Sequence, residues 1–331
     1  MGSDMQRREL ITLLGGTAFM QTFAALGQKA PVRLGFLCAC APGSPTATAL
    51  IADINEGLRE NGLIGSNDYI LETRFAAGHY DRFPDLAREL KQVGVSIMLA
   101  NTIVAVRAAQ HVVPPVPVVM LYVSDPVGTT LVASLSHPGG LTTGMATMIE
   151  DITPKLLDFQ REIVPRAKVI AVLFNPMNPT NPPIVEDLKI RASATGLTVK
   201  PIVLRTPEEL DVAFSAVVAS QADAIHVVAD AGIMDLIDRI AAFSVEHRLP
   251  CFSTLSYFAE FGGLLAYGPS IRKCFRRGGY FTKRILDGAK PGDLPVEQPT
   301  QIELSVNLKT ARSLAIDVPT GIQQLADQLI E

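Results

Sequence analysis

YVSDPVGTTLVASLSHPGGLTTG, residues 122–144, is the stretch from which the rest of the chain can be read. It begins at the end of an apolar run, 116–122, whose length and β-branched content predict a buried strand. Ser124-Asp125-Pro126 ends that strand and is expected to open a helix, because a proline in a first helical turn gives up only an amide that has no partner there. Asp125 stands where a carboxylate can cap free N–H groups or meet a ligand. The expected helix covers 130–136 and stops at the breaker run His137-Pro138-Gly139-Gly140. A polar loop at the carboxyl end of a buried parallel strand is where open α/β sheets bind ligands.

Working upstream, strands are expected at 32–40, 69–75, 95–100 and 118–123. Between them, helices are marked by Leu50, Ile54, Gly57 and Leu58, then by Phe83, Leu86, Leu90 and Val93, then by the run 103–111. A β-α-β-α-β order predicts a parallel sheet with helices on both faces. Downstream the pattern restarts, with helices at 152–163, 184–194, 208–220 and 233–247 and strands at 168–174, 197–204, 223–229 and 250–255. VSIMLANT at 95–102 is answered by AIHVVAD at 224–230, and VPVVMLYVSD at 116–125 by LPCFSTLSY at 249–257. The fold class is therefore α/β, with two doubly wound parallel-sheet lobes facing one another across a ligand cleft. The segments 264–267, 271–286 and 301–308 are too short for a third domain; they are expected to cross back to the first lobe and return, making three hinge crossovers. The expected division is 31–147 plus about 264–300 for the N-terminal lobe, and 148–263 plus about 301–331 for the C-terminal lobe.

A chain of 331 residues with 48% hydrophobic content carries core enough for two domains. Its net charge of -4 and the absence of a Lys/Arg cluster with interleaved aromatics argue against a nucleic-acid surface. The run Arg272-Lys273 with Arg276-Arg277 reads as a solvated helix face. Met1-Gly2-Ser3-Asp4 reads as a cloning remnant ahead of Met5, and Arg7-Arg8 followed by the apolar run 10–26 and Gly27-Gln28-Lys29-Ala30 as an export signal, its paired arginines pointing to the twin-arginine route. Residues 1–30 are thus assigned to the remnant and signal, and the mature protein to the periplasm. Cys38, Cys40, Cys251 and Cys274 are expected to be free thiols, since a chain this long needs no staples. The five histidines are scattered without HxxxH spacing, and no metal or cofactor is expected.

Chemistry can sit only at the strand ends. Those of the first lobe carry Ser44, Thr102, Ser124 and Asp125; those of the second carry Asn175, Asn178, Asp230, Ser253 and Tyr257. Helix N-terminal amides behind them suit a carboxylate, and Asp125 or Asp230 would suit an ammonium, which is the polarity of an α-amino acid. Phe36, Phe174, Tyr122 and Tyr257 lie near the same ends and are expected to line an apolar side pocket. Each polar residue also has a purely structural reading, Asn175-Pro176 and Asn178-Pro179 as turns and Asp230 and Thr102 as helix caps. No GxSxG, no GxxxxGK[ST] and no GxGxxG at a strand end is present, so no catalytic residue is assigned.

SDPVG, LVASL, PGG and TG in the opening stretch resemble the signature of one family of ABC-transporter substrate-binding proteins, whose members include binders of tryptophan and related aromatic amino acids. RRELITLLGG at 7–16, VLFNP at 172–176, YGP at 267–269 and KPGDLPVEQPT at 290–300 match it in the same order. The chain departs from the family pattern at Leu141, where Asn is usual, and at Asn101-Thr102-Ile103, where Gly-Thr-Pro is common. The resemblance implies a type I periplasmic-binding fold and a monomer that delivers a small ligand to a membrane permease of an ABC importer. The ligand it implies is an amino acid with an aromatic or large apolar side chain. The residues leave open a non-amino aromatic acid, and equally a ligand sensor or periplasmic enzyme on the same scaffold.

Overall fold

The computed structural model describes residues 30–331, so the signal features read at 1–29 lie outside the described residues. The chain runs β1 (Val32–Cys38), α1 (Pro45–Glu60), β2 (Tyr69–Phe75), α2 (Phe83–Gln92), β3 (Ile97–Ala100), α3 (Ile103–Gln110), β4 (Val118–Ser124) and β5 (Thr142–Thr147). These five strands form one sheet in the order β2-β1-β3-β4-β5, parallel at every pair. β3 and most of β4 are buried on both faces, as a helix-covered parallel sheet requires, whereas the edge strand β2 is largely half-buried.

A second sheet follows from α4 (Ile149–Ile163), β6 (Val169–Phe174), α5 (Asn181–Ser193), β7 (Thr198–Val203), α6 (Leu210–Ala219), β8 (Ala224–Val227), α7 (Ile237–Glu246), β9 (Cys251–Ser253) and β10 (Leu265–Pro269). It is completed after α8 (Ile271–Leu286) by β11 (Ile302–Asn307), α9 (Leu308–Ser313), α10 (Thr320–Leu325) and β12 (Gln328–Ile330). The order is β12-β11-β10-β9-β8-β6-β7, with only the β10–β11 pair antiparallel.

Three crossovers join the lobes: Thr147 to Ile149, Pro269 to Ile271, and Glu297 to Ile302. The second falls later than the expected boundary near 264. β10 pairs with β9 and β11 and so belongs to the second lobe. α8 then crosses to the first lobe and packs on α1, β4 and β5. α1 and α8 touch backbone to backbone: a Cβ on Gly57 would strike the Arg276 carbonyl, and one on Gly279 would strike Gly57. Arg276 reaches back to the buried Asp53 of α1 at 3.0 Å. Lys273 pairs with Glu303 at 2.9 Å and Arg277 with Glu297 at 2.7 Å, so the basic run is the expected solvated face, its charges tied into surface ion pairs.

The opening stretch departs from expectation in one element and adds another. Residues 130–136 are not a helix. Thr130 has φ +60°, and the Ala133 amide bonds to the Pro138 carbonyl instead of back to residue 129, so the segment is a run of turns folded on itself. TTGMAT at 142–147, for which the sequence reading gives no element, is the edge strand β5, its Gly144 lying so close to the Met120 backbone that no side chain would fit. The four cysteines are buried free thiols. Among the described residues no helix is long and apolar enough to cross a membrane, and no group of three or more His, Cys, Asp or Glu is placed to hold a metal ion.

Candidate functional site

The carboxyl ends of both sheets meet across a cavity of about 30 Å3, walled by both lobes. The first lobe contributes Asn101 and Thr102 after β3, Tyr122 and Ser124 at the end of β4, and Thr147 at the end of β5. The second contributes Asn178, Thr180 and Asn181 after β6, Asp230 after β8 and Leu255 after β9. Ile103, Ile149 and Met234 add apolar surface. With the lobes in this arrangement the space is little larger than one water.

Asp230 is the most heavily coordinated group. It is 3% exposed and accepts Nδ2 of Asn175 at 3.0 Å, Nδ2 of Asn178 at 2.9 Å and the Gly232 amide at 3.0 Å. Tyr80 of the first lobe donates its hydroxyl to the same carboxylate at 2.9 Å. Burial raises the Asp230 carboxyl above its ordinary range, against the hydrogen bonds from Asn175, Asn178 and Tyr80 that pull it down. Tyr80, buried against this carboxylate, is raised well above a normal phenol, first by burial and then by the Asp230 charge. Two further contacts cross the lobes nearby, the Ala41 amide to Asp235 Oδ2 at 2.6 Å and His79 to Glu208 at 3.4 Å.

Thr102, Ser124, Asn178 and Asp230 therefore share one cavity. Thr102 caps α3, its Oγ1 accepting the Ala105 amide at 2.9 Å, and the first amides of that helix have no partner within it. Ser124 donates to Glu150 at 2.5 Å and accepts from Thr147 at 3.1 Å. Glu150 is raised by burial, against the Ser124 hydrogen bond. The other expected residues stand elsewhere. Ser44 caps α1 through the Ala47 amide at 3.0 Å, outside the cavity lining. Asp125, with φ +38°, turns away to accept the Gly128 amide at 2.8 Å and lines a neighbouring depression instead. Asn175 sits behind Asp230. Ser253 is buried, bonded to the Val227 carbonyl at 3.0 Å and the Leu255 amide at 3.1 Å. Tyr257 lies beyond Leu255, its ring against Phe261 at 5.9 Å. Of the expected aromatic wall only Tyr122 lines the cavity, for Phe36 packs edge-on against Phe275 of α8 and Phe174 is part of the hydrophobic core.

Sequence reasoning missed Asn101, Asn181, Tyr80 and Asp235. Asn101 adjoins Thr102 at a strand end and was within reach of the same rule; the other three depend on how the lobes meet. The side-chain amide nitrogens of Asn101 and Asn181, the hydroxyls of Tyr122 and Tyr257, and Oδ1 of Asp235 are buried without a hydrogen-bond partner. Buried polar atoms in native proteins are nearly always paired with protein or water, so the unpartnered atoms of Asn101, Tyr122 and Asn181 make this cavity the candidate ligand site.

Comparison with known proteins agrees with this architecture. A sequence model of the family described as "ABC transporter substrate binding protein" matches residues 44–330. A tyrosine-binding protein of Clostridioides difficile is 26% identical over 208 residues, a stretch covering 63% of this chain and 59% of that protein, so the match spans about three fifths of the relative's length. A conserved domain protein from Vibrio cholerae superposes with a TM-score of 0.81 at 21% identity, covering 90% of this chain and 99% of that one. A Streptococcus pneumoniae ABC domain in complex with L-Trp gives 0.80 at 23% identity, with 91% and 100% coverage. A Clostridium difficile substrate-binding protein in a ligand-free, open structure gives 0.61 at 21% identity, with 90% and 99% coverage.

Proposed function

The chain belongs to the ABC transporter substrate binding protein family, and from that premise we propose that it captures an α-amino acid with an aromatic or large apolar side chain and passes it to the membrane permease of an ABC importer. The observation that carries this reading is the set of unpartnered buried polar atoms of Asn101, Tyr122 and Asn181 around a cavity walled by both lobes. A site that binds between lobes converts ligand contacts into closure, which is the event a transporter can sense. The tyrosine-binding relative and the L-Trp complex among the fold neighbours support an aromatic ligand. The chain superposes better on that complex than on the ligand-free, open neighbour, which supports a closed arrangement of the lobes here.

Export to the periplasm through the twin-arginine signal read at Arg7-Arg8, and action as a monomer, complete the proposal. Mass spectrometry of the small molecule released on denaturing purified protein, followed by calorimetry with that molecule, tests it. An aromatic or large apolar amino acid bound without chemical change is the expected result. A product appearing during the titration, or a released molecule that is not an amino acid, would overturn the reading.

A further inference from the structure

The two acidic groups first considered as ammonium partners are both already occupied. Asp125 faces the Gly128 amide outside the cavity, and both oxygens of Asp230 are taken by donors of the protein. A third carboxylate, Asp235 on the 3-10 turn Ala231–Leu236, is in the opposite condition. Its Oδ2 accepts the Ala41 amide of the facing lobe at 2.6 Å, while its Oδ1 is buried with no partner. Among the described residues no Lys, Arg or His forms an ion pair with it. A carboxylate half stripped of water and facing no cation is costly, and a positive group from outside the chain would offset that cost.

The surroundings indicate where that group would stand. The hydroxyls of Tyr257 and Tyr122 are likewise buried and unpartnered. Burial raises the Tyr257 hydroxyl well above a normal phenol, and the charges of Cys40 and Asp235 push it the same way. Tyr122 and Met234, the residue preceding Asp235, line the cavity. Elsewhere on the cavity wall the unpartnered atoms of Asn101 and Asn181 are side-chain amide donors, beside the free amides at the start of α3. The unmet hydrogen bonds are thus divided, donors from Asn101 and Asn181 and an acceptor from Asp235, with two phenols that can act either way.

Resting on the amino-acid reading above, we propose that Asp235 is the counter-ion of the ligand's ammonium group, with the Tyr122 and Tyr257 hydroxyls beside it, and that the carboxylate lies toward Asn101, Asn181 and the start of α3. Asp230 is then a positioning residue that holds Asn175, Asn178 and Tyr80.

Calorimetry on the full chain tests this with L-tyrosine and L-tryptophan beside their deaminated analogues, 3-(4-hydroxyphenyl)propanoate and indole-3-propanoate. Asp235→Asn keeps an oxygen for the Ala41 amide and removes only the charge. It should weaken the amino acids about ten- to a hundredfold and leave the analogues within about twofold. An equal loss for both classes, or no loss for either, overturns the assignment while leaving the amino-acid reading intact. The wild-type protein supplies a measurement independent of the variant's folding: it should prefer each amino acid to its analogue by about tenfold or more. Wild-type binding of the analogues as tightly as the amino acids overturns the Asp235 assignment alone. Binding of the analogues only, or of neither class, overturns the amino-acid reading with it.

Discussion

The hydroxyl of Tyr80 in the first lobe lies 2.9 Å from each carboxylate oxygen of Asp230 in the second. It also accepts the Gly232 amide at 3.1 Å, so one phenol closes a hydrogen-bonded ring between the lobes. Tyr80→Phe removes that link and keeps the ring's packing against Phe83. A hydrogen bond to a charged group contributes about 1.5–3 kcal/mol, all of it available only when the lobes are together. The variant should show a larger radius of gyration by small-angle scattering without ligand, and weaker ligand affinity by about tenfold. An unchanged radius together with unchanged affinity would mean that the contact does nothing for closure.

Asp230→Ala should do more than weaken binding. It strands the donors of Asn175, Asn178 and Tyr80 in a buried site, each at a cost of about 1–3 kcal/mol unless water enters. Its melting temperature should fall by several degrees alongside the loss of affinity. A melting curve matching wild type would show that this network is not needed for the fold.

Gly279→Ala separates stability from function in the other direction. Gly279 lies against Gly57 at the α1–α8 contact, away from the cavity lining. An added methyl must push the helices apart, at about 1–3 kcal/mol. Denaturant unfolding should show that loss while ligand affinity, measured below the transition, stays within about twofold.

His226 gives the fold a pH dependence. Its ring is wholly buried, with Nδ1 3.0 Å from the Gln160 side chain and Nε2 unpartnered, and burial pushes it down to about 3. A depressed histidine stabilises the fold fully above its unfolded value of about 6.5 and progressively less as pH falls toward 3. Between about pH 6.5 and 4.5, where most carboxylates stay ionised, the loss is about 2–3 kcal/mol. Replacing both partners, His226→Phe with Gln160→Leu, should flatten the melting temperature across that window. A slope equal to wild type would place the acid sensitivity elsewhere.

How far the sequence carries can be followed residue by residue. Thr102, Ser124, Asn178 and Asp230 were readable because each ends an apolar run, and in a parallel sheet such ends gather on one side. Asp125 obeys the same rule and still misses the cavity, because its left-handed backbone returns the carboxylate to its own loop. The 130–136 segment looks helical by spacing, yet the Pro138 carbonyl captures the Ala133 amide and bends the chain back. β5 carries too little apolar content to announce itself, and is recognisable only from its pairing with β4. Tyr80 and Asp235 left no signal at all. Their importance arises from residues 150 and 194 positions away in the chain.

α8 carries a consequence for biosynthesis. The five strands of the first sheet are complete by Thr147, but the helix that covers α1, β4 and β5 begins only at Ile271. While the intervening residues are being translated, the apolar side of α1, with Leu50, Ile54 and Leu58, has no cover from its eventual neighbour. The nascent first lobe therefore waits, partly wet, for the second lobe to be synthesised, and during that interval it is open to chaperones and to aggregation. A ribosome stalled before residue 271 would display a fragment whose sheet is whole and whose core is not.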